Sequence, residues 1–256
     1  MDIQQAANTL LEAERLKQPI APFTSSTEIS VDDAYRIQLL QIEKKLENAQ
    51  LAGIKIGLTS EVMQRMFNVD TPDFGHILDT MVFENGKEIS KSRFIQPKVE
   101  FEIAFILKED LKGPNVTPAQ VMKATEAIAP AIEIIDSRIV DWKFKFEDTV
   151  ADNGSSAGAI IGLSKPLPSL EELATIRVVA KRNGEVFDEG TASAVMGNPA
   201  NAVAWLANML SDYGISLKAG QFILAGAITA AVPFEYGDHF DIDFGEYGNV
   251  KVTFIE

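Results

Sequence analysis

The chain has 256 residues, of which 46% are hydrophobic and 23% are charged, and it contains no cysteine. This length can bury a large core without disulfides. The absence of cysteine excludes a disulfide scaffold, a thiolate zinc site, an iron–sulfur cluster and a cysteine nucleophile. With 23 Lys and Arg against 37 Asp and Glu, the formal net charge is −14, which disfavours nucleic acid as a partner.

The first fifty residues have the pattern of two helices. Apolar residues recur at helical spacing over 2–17 and again over 31–48. Ser30 followed by Asp33 resembles a capping box at the start of the second helix. Between the helices, residues 18–29 carry two prolines and several Ser and Thr, which is typical of a linker. We therefore expect residues 1–50 to form a helical subdomain.

The rest of the chain, residues 51–256, has the pattern of short strands and turns with few helices. Asn85-Gly86 and Asn183-Gly184 are typical of hairpin turns. Thr117 and Pro118 predict a helix start, and that helix is expected to run to about Ile128. Further helix is predicted over about 200–210, and strands over 53–58, 99–107, 131–135, 222–224, 240–244 and 250–255. This mixture predicts an α+β domain built on a mixed sheet or barrel.

No apolar run approaches the roughly 20 residues that a helix needs to span a bilayer. The N-terminus carries charge throughout and lacks the apolar core of a signal peptide. We therefore predict a cytoplasmic protein without a membrane partner.

Three glutamates are the first candidates for chemistry. Glu100 and Glu102 lie two apart in a predicted strand, so both side chains point to the same face. Glu133 lies inside another apolar strand, where a solvated carboxylate is hard to explain. Buried carboxylates repel each other, and a hard divalent cation would resolve that repulsion. A solvent-facing strand surface and an edge strand with a paired Glu133 remain the alternatives.

Three other segments carry polar groups without a decisive pattern. Lys55 alternates with isoleucines between two glycines, so it is either a solvent-facing strand residue or a residue near a ligand. Residues 71–76 are predicted to form a turn-rich loop that carries Asp73. Residues 148–156 are predicted to form a loop of small hydrogen-bonding side chains, suited either to binding anions or to a plain turn.

The motifs occur in a characteristic order along the chain. This order is KIGLTS, a PDFG loop, QPKVEFEIAFIL, PAIEIIDSRI and DWKFKFEDTVADNGSS. It resembles the 2-keto-4-pentenoate hydratase and 4-oxalocrotonate decarboxylase family, within the fumarylacetoacetate hydrolase fold superfamily. The resemblance covers nearly the whole chain. It implies an α+β, mixed-sheet or barrel-like fold with the N-terminal helices packed outside, and a metal-binding catalytic domain over residues 51–256.

The resemblance also implies a metal site, a set of functional residues and a homo-oligomer. The implied metal is Mg²⁺ or Mn²⁺. The implied residues are Glu100, Glu102 and Glu133 as metal ligands, Lys55 and Asp73 as catalytic groups, and Thr59, Ser155 and Ser156 as substrate-binding groups.

The implied reaction is hydration of a 2-hydroxy-2,4-dienoate to a 4-hydroxy-2-oxo acid in the meta-cleavage catabolism of aromatic compounds. A neighbouring pathway enzyme is a further expected partner. Decarboxylation of 4-oxalocrotonate at the same metal site is the alternative. Asp73 favours hydration, because adding water needs a group that handles protons. The pair Ser155-Ser156 departs from the hydratases, which often have a cysteine there, and the stretch 226–232 looks more like the decarboxylases.

Two further alternatives remain. Acylpyruvate hydrolysis or oxaloacetate decarboxylation would use the same fold, but a hydrolase of this kind usually needs a His-Glu pair, and neither His76 nor His239 is followed by a fitting glutamate. A non-catalytic binding protein is disfavoured because all three glutamates are present.

Overall fold

The computed structural model describes all 256 residues, with seven α-helices and fourteen β-strands. The helices are α1 Ile3–Leu16, α2 Val31–Lys45, α3 Glu61–Phe67, α4 Pro118–Ala124, α5 Phe146–Ala151, α6 Leu170–Thr175 and α7 Pro199–Ser211. The strands are β1 Leu51–Gly57, β2 Asp73–Leu78, β3 Val82–Glu84, β4 Glu88–Ser90, β5 Lys98–Leu107, β6 Thr125–Ile135, β7 Ser156–Ile161, β8 Lys165–Pro166, β9 Arg177–Arg182, β10 Glu185–Thr191, β11 Phe222–Leu224, β12 Val232–Pro233, β13 His239–Asp243 and β14 Asn249–Ile255. None of the helices has the length and apolar character needed to cross a membrane.

The strands form two mixed sheets. The larger sheet has the order β2-β1-β11-β5-β6-β7-β3, with β12 paired to β5 and β8 paired to β6. The smaller sheet has the order β10-β9-β13-β14-β4. Both sheets combine parallel and antiparallel pairs, because β1 runs parallel to β11 and β14 runs parallel to β4. The predicted α+β class with mixed sheets is confirmed, and each sheet is open rather than closed into a barrel.

The two N-terminal helices pack on the β-structure through one shared core. The Ser30 hydroxyl accepts a hydrogen bond from the Asp33 amide at 3.1 Å, so the predicted cap starts α2. Leu10 of α1 and Tyr35 of α2 are fully buried in the same hydrophobic cluster as Phe101 of β5. The division of the chain at residue 50 stays a prediction.

The predicted helix over 117–128 is wrong over its last four residues. Helix α4 ends at Ala124, and β6 begins at Thr125 and contains Pro130. Proline removes a donor from a sheet. On one side of β6 the partner changes near this proline, since β8 pairs at Ala127 and Ile128 and β7 pairs only from Ala131. Pro130 therefore lies between two partner strands, where a missing N–H costs least.

Of the two predicted hairpins, one is confirmed and one is wrong. Asn183 and Gly184 adopt φ of 54° and 87° and join β9 to its antiparallel neighbour β10. Asn85-Gly86 instead joins β3, which pairs with β7, to β4, which pairs with β14. Its backbone and side chain hydrogen-bond to Lys251 of β14, so this turn carries the chain from one sheet to the other.

Candidate metal centre

Strand pairing brings the three glutamates together. Strands β5 and β6 are antiparallel neighbours, and their register places Glu100 opposite Glu133. Glu102 lies on the same face of β5, two residues further along. One carboxylate oxygen from each of Glu100, Glu102 and Glu133 lies within 4.8 Å of the others. Glu102 and Glu133 are fully buried, which removes the solvent-facing interpretation for both.

The cluster has unused acceptor atoms that suit a cation. Both carboxylate oxygens of Glu133 and Oε1 of Glu102 are buried without a hydrogen-bond partner. The other oxygen of Glu102 accepts from the Gly226 amide at 2.7 Å. Buried carboxylates without partners are costly, and hard divalent cations prefer such oxygen ligands. The residues present therefore fit a divalent cation.

The electrostatics of the cluster agree with this fit. Burial raises the pKa of Glu102 well above its usual value, and the neighbouring charges of Glu133 and Glu100 raise it further. Burial also raises the pKa of Glu133 to about 8, against the opposing effect of Lys55. A cation bound between these groups would favour their ionised forms.

Lys55 lies beside the cluster. Lys55 is only 3% exposed despite alternating with isoleucines, because the turn over 153–155 covers it: a Cβ at Gly154 would lie 3.4 Å from Lys55 Cδ. Its Nζ lies 3.6 Å from Glu133 and donates to the Gly154 carbonyl at 3.2 Å. Burial alone would lower the pKa of Lys55, but the attraction of Glu133, Asp73 and the other glutamates outweighs burial and raises it. Lys55 is therefore a buried ammonium, and its solvent-facing interpretation is wrong.

Asp73 lies on a strand rather than in the predicted loop. It is the first residue of β2 and pairs with Gly57 of β1. A side chain at Gly57 would place its Cβ 2.1 Å from Asp73 Oδ1 and 3.0 Å from Lys55 Nζ, so only glycine permits this approach. Asp73 is 2% exposed, and Oδ1 has no hydrogen-bond partner. Burial raises the pKa of its carboxyl, partly offset by Lys55.

The predicted loop over 148–156 is partly helical. Residues Phe146–Ala151 form α5, because Asp148 caps its N-terminus by accepting from the Lys145 amide at 3.0 Å. A tight turn over Asn153–Ser155 follows. The hydroxyls of Ser155, in this turn, and of Ser156, at the start of β7, are buried without hydrogen-bond partners.

Thr59 packs against Gly226, a glycine that contacts the metal-site glutamate Glu102. Thr59 is 6% exposed and lies two residues after the end of β1. A Cβ at Gly226 would lie 2.4 Å from Thr59 Oγ1, and the Gly226 amide donates to Glu102. The structure thus places Lys55, Asp73 and the serine turn around the carboxylates, and links Thr59 to Glu102 through Gly226.

Sequence reasoning missed the residues that support the site from behind. Gln38 of α2 donates to the carbonyls of Phe74 and Val150 at 3.0 and 2.8 Å, and so ties α2 to β2 and α5. Asn153 bonds both backbone groups of His76. A glutamine on the apolar face of a helix was the available signal for Gln38; a sequence alone offers none for the Asn153 contact.

His76 is a buried strand residue. It is 2% exposed, and its Nδ1 lies 3.1 Å from Gln38 Oε1. Because the Gln38 amide nitrogen donates to two carbonyls, Oε1 is the acceptor, and we assign the ring proton to Nδ1. Burial lowers the pKa of His76 to about 4.

We expect His76 to make stability fall in acid. The unfolded state protonates this side chain near pH 6.5 and the folded state only near pH 4, so its contribution is complete above pH 6.5 and is lost as pH falls through this window. The loss amounts to roughly 3 kcal/mol in the free energy of unfolding. The free energy of unfolding, measured with urea at several pH values between 7 and 4, should fall less as the pH is lowered for His76→Gln than for wild type. His239→Gln is the matched control, and an equal fall for His76→Gln and wild type would contradict the prediction.

Comparison with known proteins agrees with this architecture. The fumarylacetoacetate (FAA) hydrolase C-terminal profile matches residues 59–255. A 2-hydroxyhexa-2,4-dienoate hydratase of Comamonas testosteroni is 43% identical over 99% of this chain and 98% of its own. A 2-oxo-hept-4-ene-1,7-dioate hydratase of Escherichia coli is 40% identical over 97% and 96%. Among solved structures, the 4-oxalocrotonate decarboxylase from Pseudomonas putida G7, complexed with magnesium and adipate, is similar with a TM-score of 0.94 and 36% identity over 99% and 97%.

Proposed function

The chain belongs to the fumarylacetoacetate hydrolase C-terminal family, and from this premise we propose that it is a divalent-metal-dependent lyase that adds water to a 2-hydroxy-2,4-dienoate. The product is a 4-hydroxy-2-oxo acid. The observation that carries the proposal is the buried Asp73 carboxyl, which lies with Lys55 Nζ around Gly57, while that nitrogen lies 3.6 Å from Glu133 of the glutamate cluster. The full-length similarity to two hydratases of related dienoates supports the same reaction.

The metal ligands would be Glu100, Glu102 and Glu133, with Mg²⁺ or Mn²⁺ as the ion. When bound, such an ion supplies local positive charge and Lewis acidity toward the carboxylate and 2-oxygen of a 2-oxo acid. This charge offsets the repulsion that a chain of net charge −14 exerts on an anionic substrate.

The protein's own residues supply the proton chemistry. The buried ammonium of Lys55 stabilises negative charge that develops on the 2-oxygen when the enol loses its proton. Asp73, in its protonated form, gives a proton to C5, which yields the conjugated 2-oxo-3-enoate. The carboxylate so formed then takes a proton from water as the oxygen of that water attacks C4, and C3 takes one proton from solvent, which balances the proton that the enol released to solvent in the first step. Burial of Asp73 favours the protonated form that the first step needs.

The hydroxyl groups of the site would bind the substrate. Ser155 and Ser156 are buried and lack protein partners, so each has a free donor and acceptor. We propose that they and Thr59 hydrogen-bond the oxygens of the substrate. A substrate would thereby relieve the cost of burying unpaired hydroxyls.

Decarboxylation of 4-oxalocrotonate is the second candidate. The structural similarity to the Pseudomonas putida decarboxylase favours it, since that enzyme shares the fold over nearly the whole chain. Hydrolysis of an acylpyruvate has less support, because His76 is buried and hydrogen-bonded to Gln38 rather than to a glutamate. Four expectations stay predictions: oxaloacetate decarboxylation, a homo-oligomeric state, a cytoplasmic location and a partner enzyme.

A paired assay tests the proposed function. Purified protein with Mg²⁺ receives freshly generated 2-hydroxypenta-2,4-dienoate in one cuvette and 2-oxo-3-hexenedioate in the other, and loss of each chromophore and release of CO₂ are followed. We expect rapid loss of the first chromophore and little CO₂ from the second. Turnover of the second alone, with CO₂, would replace the hydratase assignment by the decarboxylase.

A further inference from the structure

The turn between α5 and β7 has an unusual backbone. Its three residues Asn153, Gly154 and Ser155 all have positive φ, of 56°, 57° and 57°. Glycine adopts this conformation freely and asparagine tolerates it, whereas for serine it is uncommon. Three such residues in succession persist only where their surroundings hold them in place.

Contacts from two directions hold this turn. On one side, the Asn153 side chain accepts from the His76 amide at 2.8 Å and donates to the His76 carbonyl at 2.9 Å. The side-chain carboxamide of Asn153 thus satisfies both backbone groups of His76, as a neighbouring strand would. On the other side, the buried carboxylate of Asp152 accepts from Arg138 Nε at 2.5 Å and from the Ser137 hydroxyl at 3.2 Å.

The turn faces Lys55. The Gly154 carbonyl accepts from Lys55 Nζ at 3.2 Å. A Cβ built on Gly154 would lie 3.4 Å from Lys55 Cδ and 3.5 Å from Asp73 Oδ2, so the turn packs directly against both side chains. It also fits closely against β2, because a Cβ at Gly75 would lie 2.1 Å from the Asn153 carbonyl oxygen. A shift of this turn would therefore remove a hydrogen bond from Lys55 and move the Ser155 hydroxyl.

We propose that Asn153 is a positioning residue, whose side chain holds the Gly154 carbonyl against the Lys55 ammonium and fixes the Ser155 hydroxyl at the site. Its kinetic consequence rests on the proposed function. Loss of the Asn153 side chain leaves Lys55 attracted by Glu133 and Asp73 but no longer oriented by the turn. Because small displacements of catalytic groups cost much rate, we expect kcat to fall about 10- to 100-fold with a smaller change in KM.

Asn153→Gly is the main test, because glycine tolerates positive φ and removes the two side-chain hydrogen bonds, and the control substitution adds the same backbone freedom. The chain provides a matched control in Asn183, which also has positive φ, of 54°, and also accepts from a backbone amide, that of His239, at 2.8 Å. Asn183 lies in the turn between β9 and β10 of the smaller sheet. Asn183→Gly should lose stability without changing kcat.

A spectroscopic measurement tests the inference independently of turnover. In protein labelled with ¹⁵N-lysine, the buried ammonium of Lys55 should give a signal protected from exchange, assigned by its absence in Lys55→Met. We expect this signal to shift or broaden in Asn153→Gly and to stay unchanged in Asn183→Gly. An unchanged Lys55 signal together with wild-type kcat in Asn153→Gly would overturn the proposal.

The two proposals fail in different ways. If the wild-type protein hydrates no dienoate, the proposed function fails, and the Lys55 signal still decides the role of Asn153. If Asn153→Gly does not fold, the uncharged Asn153→Ser, whose side chain is too short to bond both backbone groups of His76, is measured instead. A wild-type Lys55 signal in that folded variant would overturn the proposal, and a shifted signal would support it.

Discussion

Replacing Glu102 by glutamine is expected to stabilise the metal-free protein and to remove its stabilisation by Mg²⁺. In the absence of a cation, Glu102 is fully buried near two other carboxylates, within 4.8 Å. At an effective dielectric constant of about 20, two charges at this distance repel by roughly 3 kcal/mol. Uptake of protons relieves part of this repulsion, so we expect a gain in the free energy of unfolding on the order of 1–2 kcal/mol.

With Mg²⁺ present, the loss of metal binding should instead lower the stability of Glu102→Gln relative to wild type. Glutamine keeps the size of the side chain and an acceptor for the Gly226 amide, but it removes the charge that draws in the ion. For wild type, Mg²⁺ at 100 times its Kd should add about 2.7 kcal/mol of stability. For Glu102→Gln this increment should vanish, and kcat should fall by at least about 100-fold.

Thermal unfolding with EDTA and then with Mg²⁺ measures both effects on one sample. Glu126→Gln is the matched control, since Glu126 is an exposed glutamate of β6. It should resemble wild type under both conditions. If Glu102→Gln were less stable than wild type in EDTA yet kept the full Mg²⁺ increment, the carboxylate would be a structural residue and the cluster would not bind the ion through it.

Local periodicity was sufficient to predict that Glu100 and Glu102 share a face, but not that three carboxylates come together. In a strand, residues two apart share a face, so Glu100 and Glu102 were expected to point together. Glu133 was a candidate because it interrupts an apolar strand, with an edge strand and a paired Glu133 as the alternative. What periodicity does not contain is the pairing of β5 with β6, which places Glu100 opposite Glu133. The resemblance to a family, rather than the pattern, implied that the three act together.

Other features depend on contacts between distant parts of the chain. Lys55 alternates as a surface residue does, and it is buried because the turn over 153–155, distant along the chain, packs against its side chain. The Asn-Gly signal marks a turn correctly at both positions, but it does not say which strands pair beyond it. At residues 85–86 the hydrogen bonds to Lys251 direct the chain to the smaller sheet. The turn therefore crosses between the sheets and does not form a hairpin.

Asp73→Asn is expected to have the largest effect on hydration. Asparagine has the same shape but cannot give a proton to C5 or take one from water, so kcat should fall about 10²- to 10⁴-fold. KM should change by a few-fold at most, because none of the three glutamates is altered. Steady-state kinetics with the dienoate at saturating Mg²⁺ measure both constants. The control is Asp70→Asn, which changes an exposed aspartate three residues earlier and should leave kcat unchanged.

The same variant separates proton transfer from charge stabilisation. Asp73 also attracts the Lys55 ammonium, so its removal could act by displacing Lys55. Loss of CO₂ from 2-oxo-3-hexenedioate needs stabilisation of negative charge on the 2-oxygen but no acid in the step that breaks the carbon–carbon bond. If the wild-type protein has measurable decarboxylase activity, Asp73→Asn should retain most of it while hydration is lost. An equal fall in both activities would show that Asp73 acts by holding Lys55, and the proton transfer would then have to be assigned to another group.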